Sequence, residues 1–295
     1  MNSKDIIERE RPYIEEIANK YNYDSNITHL LYLMIPAFII KYGVAKEKLI
    51  LNTFKDIRIM SSNKENKVVT AYYSSTPIKV DNEFKTKKIM VIQNYNNIGL
   101  IDLLDNLVHE FNHAINSYIN EIKETKNYIY LRTGLTYRIF RKDDLSFVKK
   151  ESSYILEEII NTKQTSDIIN IIKTFDKDDN TIYAINSETN SNYNSNSYYL
   201  QSYVCKEILN NRTFLSTLEN LRINGEVDTI ENWFNDIAGE NSYKELINYL
   251  IEIYNLEIEY TKRKLFKSIL IGKIKDMSRK IMRIVDKFNN NVNFR

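Results

Sequence analysis

The chain has 295 residues and a mass of 35.0 kDa, room for one large domain or two modest ones. Only 6 Gly and 3 Pro occur, which excludes collagen-like and Pro-rich architectures and argues against a turn-dense β-sandwich. Lys and Arg total 41 against 39 Asp and Glu, so bulk charge gives no case for nucleic acid or another polyanion as partner.

The single cysteine, Cys205, excludes an internal disulfide and any multi-Cys metal site, and suits a reducing compartment. The first residues, MNSKDIIERERPYIEE, are charged and lack the apolar core of a signal peptide. No uncharged apolar run reaches the roughly 18 residues of a transmembrane helix. These features set a cytoplasmic expectation, with export by a signal-independent route left open.

Residues 4–22 and 26–42 read as helices. Ile6, Ile7, Tyr13, Ile14, Ile17 and Tyr21 recur at near-helical spacing in the first. Asp24, Ser25 and Asn26 offer N-caps for the second, which Pro36 should kink or end. From about 49 to 95 the pattern turns to short β-branched and aromatic runs at 55–60, 67–73 and 87–95, with breaks at 61–66 and 74–82. This predicts a small, mostly antiparallel sheet of three or four strands.

Helical spacing returns at 98–122, where Leu103, Leu104, Leu107, Val108, Phe111, Ile115, Tyr118 and Ile122 form one wide apolar stripe. Residues 128–140 read as a short extended segment turned at Gly134, and 152–175 as a further helix. The Asn- and Ser-rich stretch 176–197 reads as a long loop. From 198 onward the chain reads as helix, broken near Asn224–Gly225 and at Gly239. The expected class is helix-rich α+β. A mixed N-terminal lobe would span 1–122 and a mainly helical lobe 123–295, forming one catalytic unit.

Inside the 98–122 helix lies His109-Glu110-Phe111-Asn112-His113. Residues at i and i+4 share a helix face, so both imidazoles can reach one metal ion. Glu110 stands beside them, placed to act as general base toward a metal-activated water. An ordinary amphipathic helix can also carry two satisfied histidines. Against that, two of the chain's three histidines fall in this motif, between the uncharged flanks Leu107-Val108 and Ala114-Ile115. A catalytic zinc site needs a third protein ligand. The metzincin continuation fails, because its Gly position holds Asn116 and its third His position holds Ile119. His29 reads as a surface or lobe-contact residue and Cys205 as a small buried apolar one. A carboxylate is favoured, and Glu157 and Glu158 occur together in an otherwise apolar turn of the 152–175 helix. Their side chains point about 100° apart, so one can face the metal and the other the solvent. A solvated acidic pair would give the same letters.

HEFNH followed by a Glu on a later helix resembles the gluzincin zinc metallopeptidases, the group of the thermolysin-like and anthrax-lethal-factor-like enzymes. Arg132-Thr133-Gly134-Leu135 is also similar to a segment of small zincin-like proteins of Gram-positive bacteria. The resemblance spans about residues 67–210. It implies a zincin-like fold, one catalytic Zn²⁺ held by His109, His113 and Glu158, Glu110 as general base, and a peptide or protein substrate. It further implies that the substrate lies along an edge strand of the N-terminal sheet, 67–73 or 87–95. An oxyanion donor would be a tyrosine, with Tyr198 first and Tyr199 second, although a packing tyrosine at a helix start would look the same. The family's supporting acid falls on Thr162, which leaves ligand orientation to another acid such as Glu157 or Asp167. The same features fit a catalytically inactive zincin-fold protein that binds a peptide or partner.

Residues 261–288 interleave ten Lys and Arg with apolar residues. A basic amphipathic helix of this kind can touch anionic membranes or nucleic acid. A solvated face on a packed terminal helix is the plainer explanation.

Overall fold

The computed structural model describes residues 3–62, 71–93, 95–175, 179–189, 193, 195, 199–263 and 267–292. Backbone contacts divide the chain into two units. One comprises Met1–Tyr118 with Asn161–Ser195, the other Ile119–Ile160 with Asn196–Arg295. Residues 161–195 group with the first unit, so each unit is built from two separate stretches of sequence. The class is helix-rich α+β.

The first unit opens with three helices, α1 (Ser3–Tyr21), α2 (Ser25–Tyr42) and α3 (Glu47–Asp56). Asp24 caps α2 by accepting from the Ile27 amide at 2.8 Å. Helix α2 continues through Pro36 rather than ending there. Burial of Leu30, Met34, Phe38 and their neighbours offsets the backbone bond that proline removes. Helix α3 occupies residues expected to begin the strand region. Its Ile50, Leu51, Thr53 and Phe54 bury one helical face. Phe54 stacks on Phe111 with ring centroids 3.9 Å apart and meets Phe38 edge-on at 5.7 Å.

Three strands follow, β1 (Arg58–Ser62), β2 (Ala71–Val80) and β3 (Glu83–Gln93), in the order β1-β3-β2. The long β2–β3 pairing is antiparallel and the shorter β1–β3 pairing is parallel. The expected break at 74–82 is mostly strand. The chain reverses only at Asp81 and Asn82, whose φ values of 52° and 65° suit short polar side chains at a tight hairpin. Helix α4 (Leu100–Ser117) comes next.

The second unit is not simply helical. Strands β4 (Ile122–Glu124), β5 (Tyr128–Thr133), β6 (Thr136–Arg141) and β7 (Phe147–Lys150) make an antiparallel four-stranded meander where one short extended segment was expected. Helix α5 (Tyr154–Ile172) begins in this unit and ends in the first, since the division falls between Ile160 and Asn161 inside it. Helix α6 (Asn180–Glu188) then forms within the stretch expected to be a loop, capped by Asp179.

The second unit resumes with α7 (Tyr199–Val204), α8 (Lys206–Asn210), α9 (Arg212–Asn224), α10 (Ile230–Ala238), α11 (Ser242–Arg263) and α12 (Lys267–Val292). Gly225 ends α9 in the left-handed region, φ 72°. The core of this unit gathers Ile155, Ile159, Cys205, Phe214, Phe234, Leu250 and Phe288. On α12, Met277, Ile281, Ile284, Val285 and Phe288 face that core, while Lys273, Lys275, Arg279, Arg283 and Lys287 point outward. The side chains of 261–269 lie outside the described set. Among the described residues, no single helix is long and apolar enough to cross a membrane. Helix α2 passes such a test only when paired with Val44–Asp56 across a bend of 115°.

Candidate metal centre

Helix α4 carries the histidine pair on a buried face. His109 is 9% and His113 4% exposed. Their Nε2 atoms lie 3.2 Å apart. Two nitrogens each about 2.0–2.1 Å from a tetrahedral zinc would stand about 3.3 Å apart, so the pair matches one edge of that tetrahedron. Such an approach of two imidazoles gains little unless a proton or a cation lies between the nitrogens. Glu110, half-buried, accepts a hydrogen bond at Oε2 from the Tyr73 amide at 2.7 Å. Tyr73 belongs to β2, an edge strand. Residues 87–93 lie instead in β3, the central strand, whose Ile89–Ile92 pair with β1 on one side and β2 on the other. Of the earlier candidate 67–73, only 71–73 is described.

Helix α5 brings Glu158 to the pair. One ligand atom from each of His109, His113 and Glu158 lies within 4.8 Å of the other two. Two imidazoles and a carboxylate are a donor set that suits zinc. The Glu158 side chain is 13% exposed, and Lys150 Nζ on β7 stands 3.6 Å from its Oε1.

Glu157 points elsewhere. Contrary to the solvent-facing expectation for the second acid, it is fully buried, because Arg222 Nη2 donates to it at 2.5 Å and the Leu135 amide at 2.8 Å. Its carboxylate fills the space beside Gly134, where a Cβ would meet Glu157 Oε1 at 2.0 Å and where φ is +57°. Arg132 is buried beside it, donating to the carbonyls of Ile119, Gly134 and Arg222. Burial lowers the Arg132 pKa to about 10. The Arg132–Leu135 segment singled out in the sequence thus has a structural role, seating the carboxylate next in sequence to the metal candidate.

The other candidate ligands are not part of the cluster. His29 pairs with Asp179 at 3.1 Å, and Cys205 is fully buried in the core of the second unit. Asp167 pairs with Lys41 at 3.1 Å and with Lys163. Thr162 is buried, and its hydroxyl makes no hydrogen bond among the described residues. Tyr198 lies outside the described residues. Tyr199 opens α7, with its side chain also outside that set.

Sequence reasoning missed two features around the site. Asp105 lies one turn before His109 on α4 and accepts from Tyr193 Oη at 2.9 Å and Ser195 Oγ at 3.3 Å. Burial raises the pKa of its carboxyl group, opposed by those two hydroxyls and by His109. The second feature is a group of fully buried amides, Asn112, Asn116, Asn161 and Gln164. Polar letters recurring on the metal-bearing face of α4, at the i+3 position after each histidine, were the available signal. Comparison with protein-family models, with curated proteins and with solved structures finds no match for this chain.

Proposed function

We propose that the chain is a zinc-dependent peptidase of gluzincin type, with a zincin-like arrangement built on α4 and α5. The observation that carries this reading is the meeting of Glu158 with His109 and His113, beside a glutamate at the general-base position of the same helix. Sequence spacing left the third ligand open.

His109, His113 and Glu158 would hold the ion. When bound, zinc would supply Lewis acidity, lowering the pKa of water and polarising a peptide carbonyl. Glu110 Oε2 is held by the Tyr73 amide, which leaves Oε1 to take the proton of an attacking water and return it to the leaving amine. Burial of both histidines excludes bulk water from one side of the site. The β2 edge, tied to Glu110 at Tyr73, is where an extended peptide would align by backbone hydrogen bonds. Tyr198 remains the proposed oxyanion donor on the resemblance alone.

The test is hydrolysis of a peptide library by the zinc-loaded protein. Glu110→Gln should lower the rate by about 100-fold or more while keeping its zinc. If no peptide in the library is cleaved, and Glu110→Gln leaves the protein's biological effect intact, the inactive partner-binding reading takes its place.

A further inference from the structure

We propose that a neutral amide cluster sets the register in which α5 presents Glu158 to the histidines. The proposal rests on the zinc-site reading above. It concerns Asn112, Asn116, Asn161 and Gln164, together with the Tyr42 hydroxyl.

The cluster follows the ligands along both helices. On α4, Asn112 stands three residues after His109 and Asn116 three after His113. On α5, Asn161 stands three residues after Glu158, with Gln164 three further on. Residues at this spacing are neighbours along one side of a helix. The amides therefore flank the ligands along a neighbouring strip of each helix.

The contacts are reciprocal and closely spaced. Asn112 Nδ2 donates to Asn161 Oδ1 at 2.7 Å and to Gln164 Oε1 at 2.9 Å. Asn161 Nδ2 donates to the backbone carbonyl of His109 at 2.9 Å. Asn116 Nδ2 reaches the Tyr42 hydroxyl at 2.9 Å and the Asn112 carbonyl at 2.9 Å. The Tyr42 hydroxyl in turn meets Asn112 Oδ1 and lies 3.2 Å from Gln164 Oε1. All four amides are fully buried.

Four buried amides are costly to desolvate unless they bond one another. Apolar ridges tolerate small slides and rotations, but these directional bonds do not. Moving α5 by one residue would swing each α5 amide about 100° away and leave its partners unsatisfied. The same movement would carry Glu158 away from the histidines. Because the cluster is uncharged, it holds this register without adding charge beside the metal ligands. Asn161 links the two halves directly, since it bonds the main chain of a ligand residue and follows Glu158 by less than one turn.

The experiment replaces both partners of the central contact, Asn112→Leu with Asn161→Leu. Removing two mutually bonded groups together costs less stability than orphaning either one. Thermal unfolding of the metal-free protein, zinc affinity by chelator competition and the visible spectrum of the Co²⁺ form would be measured in each variant. The expected result is a folded protein whose zinc affinity falls about 10–100-fold, with a Co²⁺ spectrum moved toward that of Glu158→Ala. Adding Glu158→Ala to the Leu pair should then cost little further affinity, because both act through one ligand.

Full zinc affinity in the folded Leu pair, or losses that multiply independently with Glu158→Ala, would overturn the proposal. Should the Leu pair fail to fold, Tyr42→Phe removes one hydroxyl that touches no ligand residue. It should weaken zinc binding severalfold, and unchanged affinity there would count against the cluster equally. Absence of Co²⁺ binding by the wild type would locate the failure in the zinc reading and remove the proposal with it.

Discussion

Lys150 places an ammonium 3.6 Å from Glu158 Oε1, with the lysine side chain 33% exposed. A cation so close competes with a metal ion for the same carboxylate. Lys150→Met should therefore raise zinc affinity, by about twofold to fivefold, since a partly solvated pair contributes about 0–1 kcal/mol. Competition titration with a zinc chelator would read the change, and weaker binding would show that Lys150 supports the site. At this scale the sequence was informative wherever the chemistry is local. The i, i+4 spacing fixes the shared face of His109 and His113, and Glu110 follows from the motif. Glu157 and Glu158 could not be separated in the same way. Their difference depends on which side of α5 meets Arg222 and which meets the histidines, a long-range fact absent from the local letters.

Helix α5 is anchored by a buried charge pair. Arg222 and Glu157 are both fully buried, and the carboxylate also accepts from the Leu135 amide. Removing one member of such a pair leaves the other charged and desolvated. Glu157→Gln should lower the free energy of unfolding by about 3 kcal/mol, seen in urea denaturation, while the folded fraction still binds zinc. Loss of zinc with unchanged stability would instead make Glu157 the ligand. Helix α4 was legible because its apolar positions recur with a helical period. Helix α3 was missed because its ten residues adjoin a β-branched region and its burial depends on Phe38 and Phe111 from distant parts of the chain. The four-stranded meander was foreseen only as one short segment, because β4 and β7 are short and owe their existence to pairing with β5 and β6.

Across the whole chain, the separation into two units is not colinear with the sequence. Residues 161–195 belong with the first unit, and no change in composition marks the crossing at 160/161, inside α5. That assignment is made by packing such as the amide contacts of Asn161, which no window of sequence contains. Cys205 offers a probe of the second unit. It lies in that unit's core and burial pushes its thiol pKa up to about 12, so the reactive thiolate is suppressed. Iodoacetamide at pH 8 should label it slowly in the native protein and fully in denaturant. Rapid native labelling would contradict the packed core. The basic character of α12 is explained in its described part by outward-facing cations on a helix whose apolar side lies in the same core.

The measurement that tests the central claim most directly is zinc content by mass spectrometry, in the wild type and in Glu158→Ala, both purified without added metal. The three-ligand site predicts one zinc per chain in the wild type, and its loss or marked weakening in the variant. A wild type that takes up no zinc even after reconstitution would contradict the account. It would leave His109 and His113 as two buried histidines on a core helix.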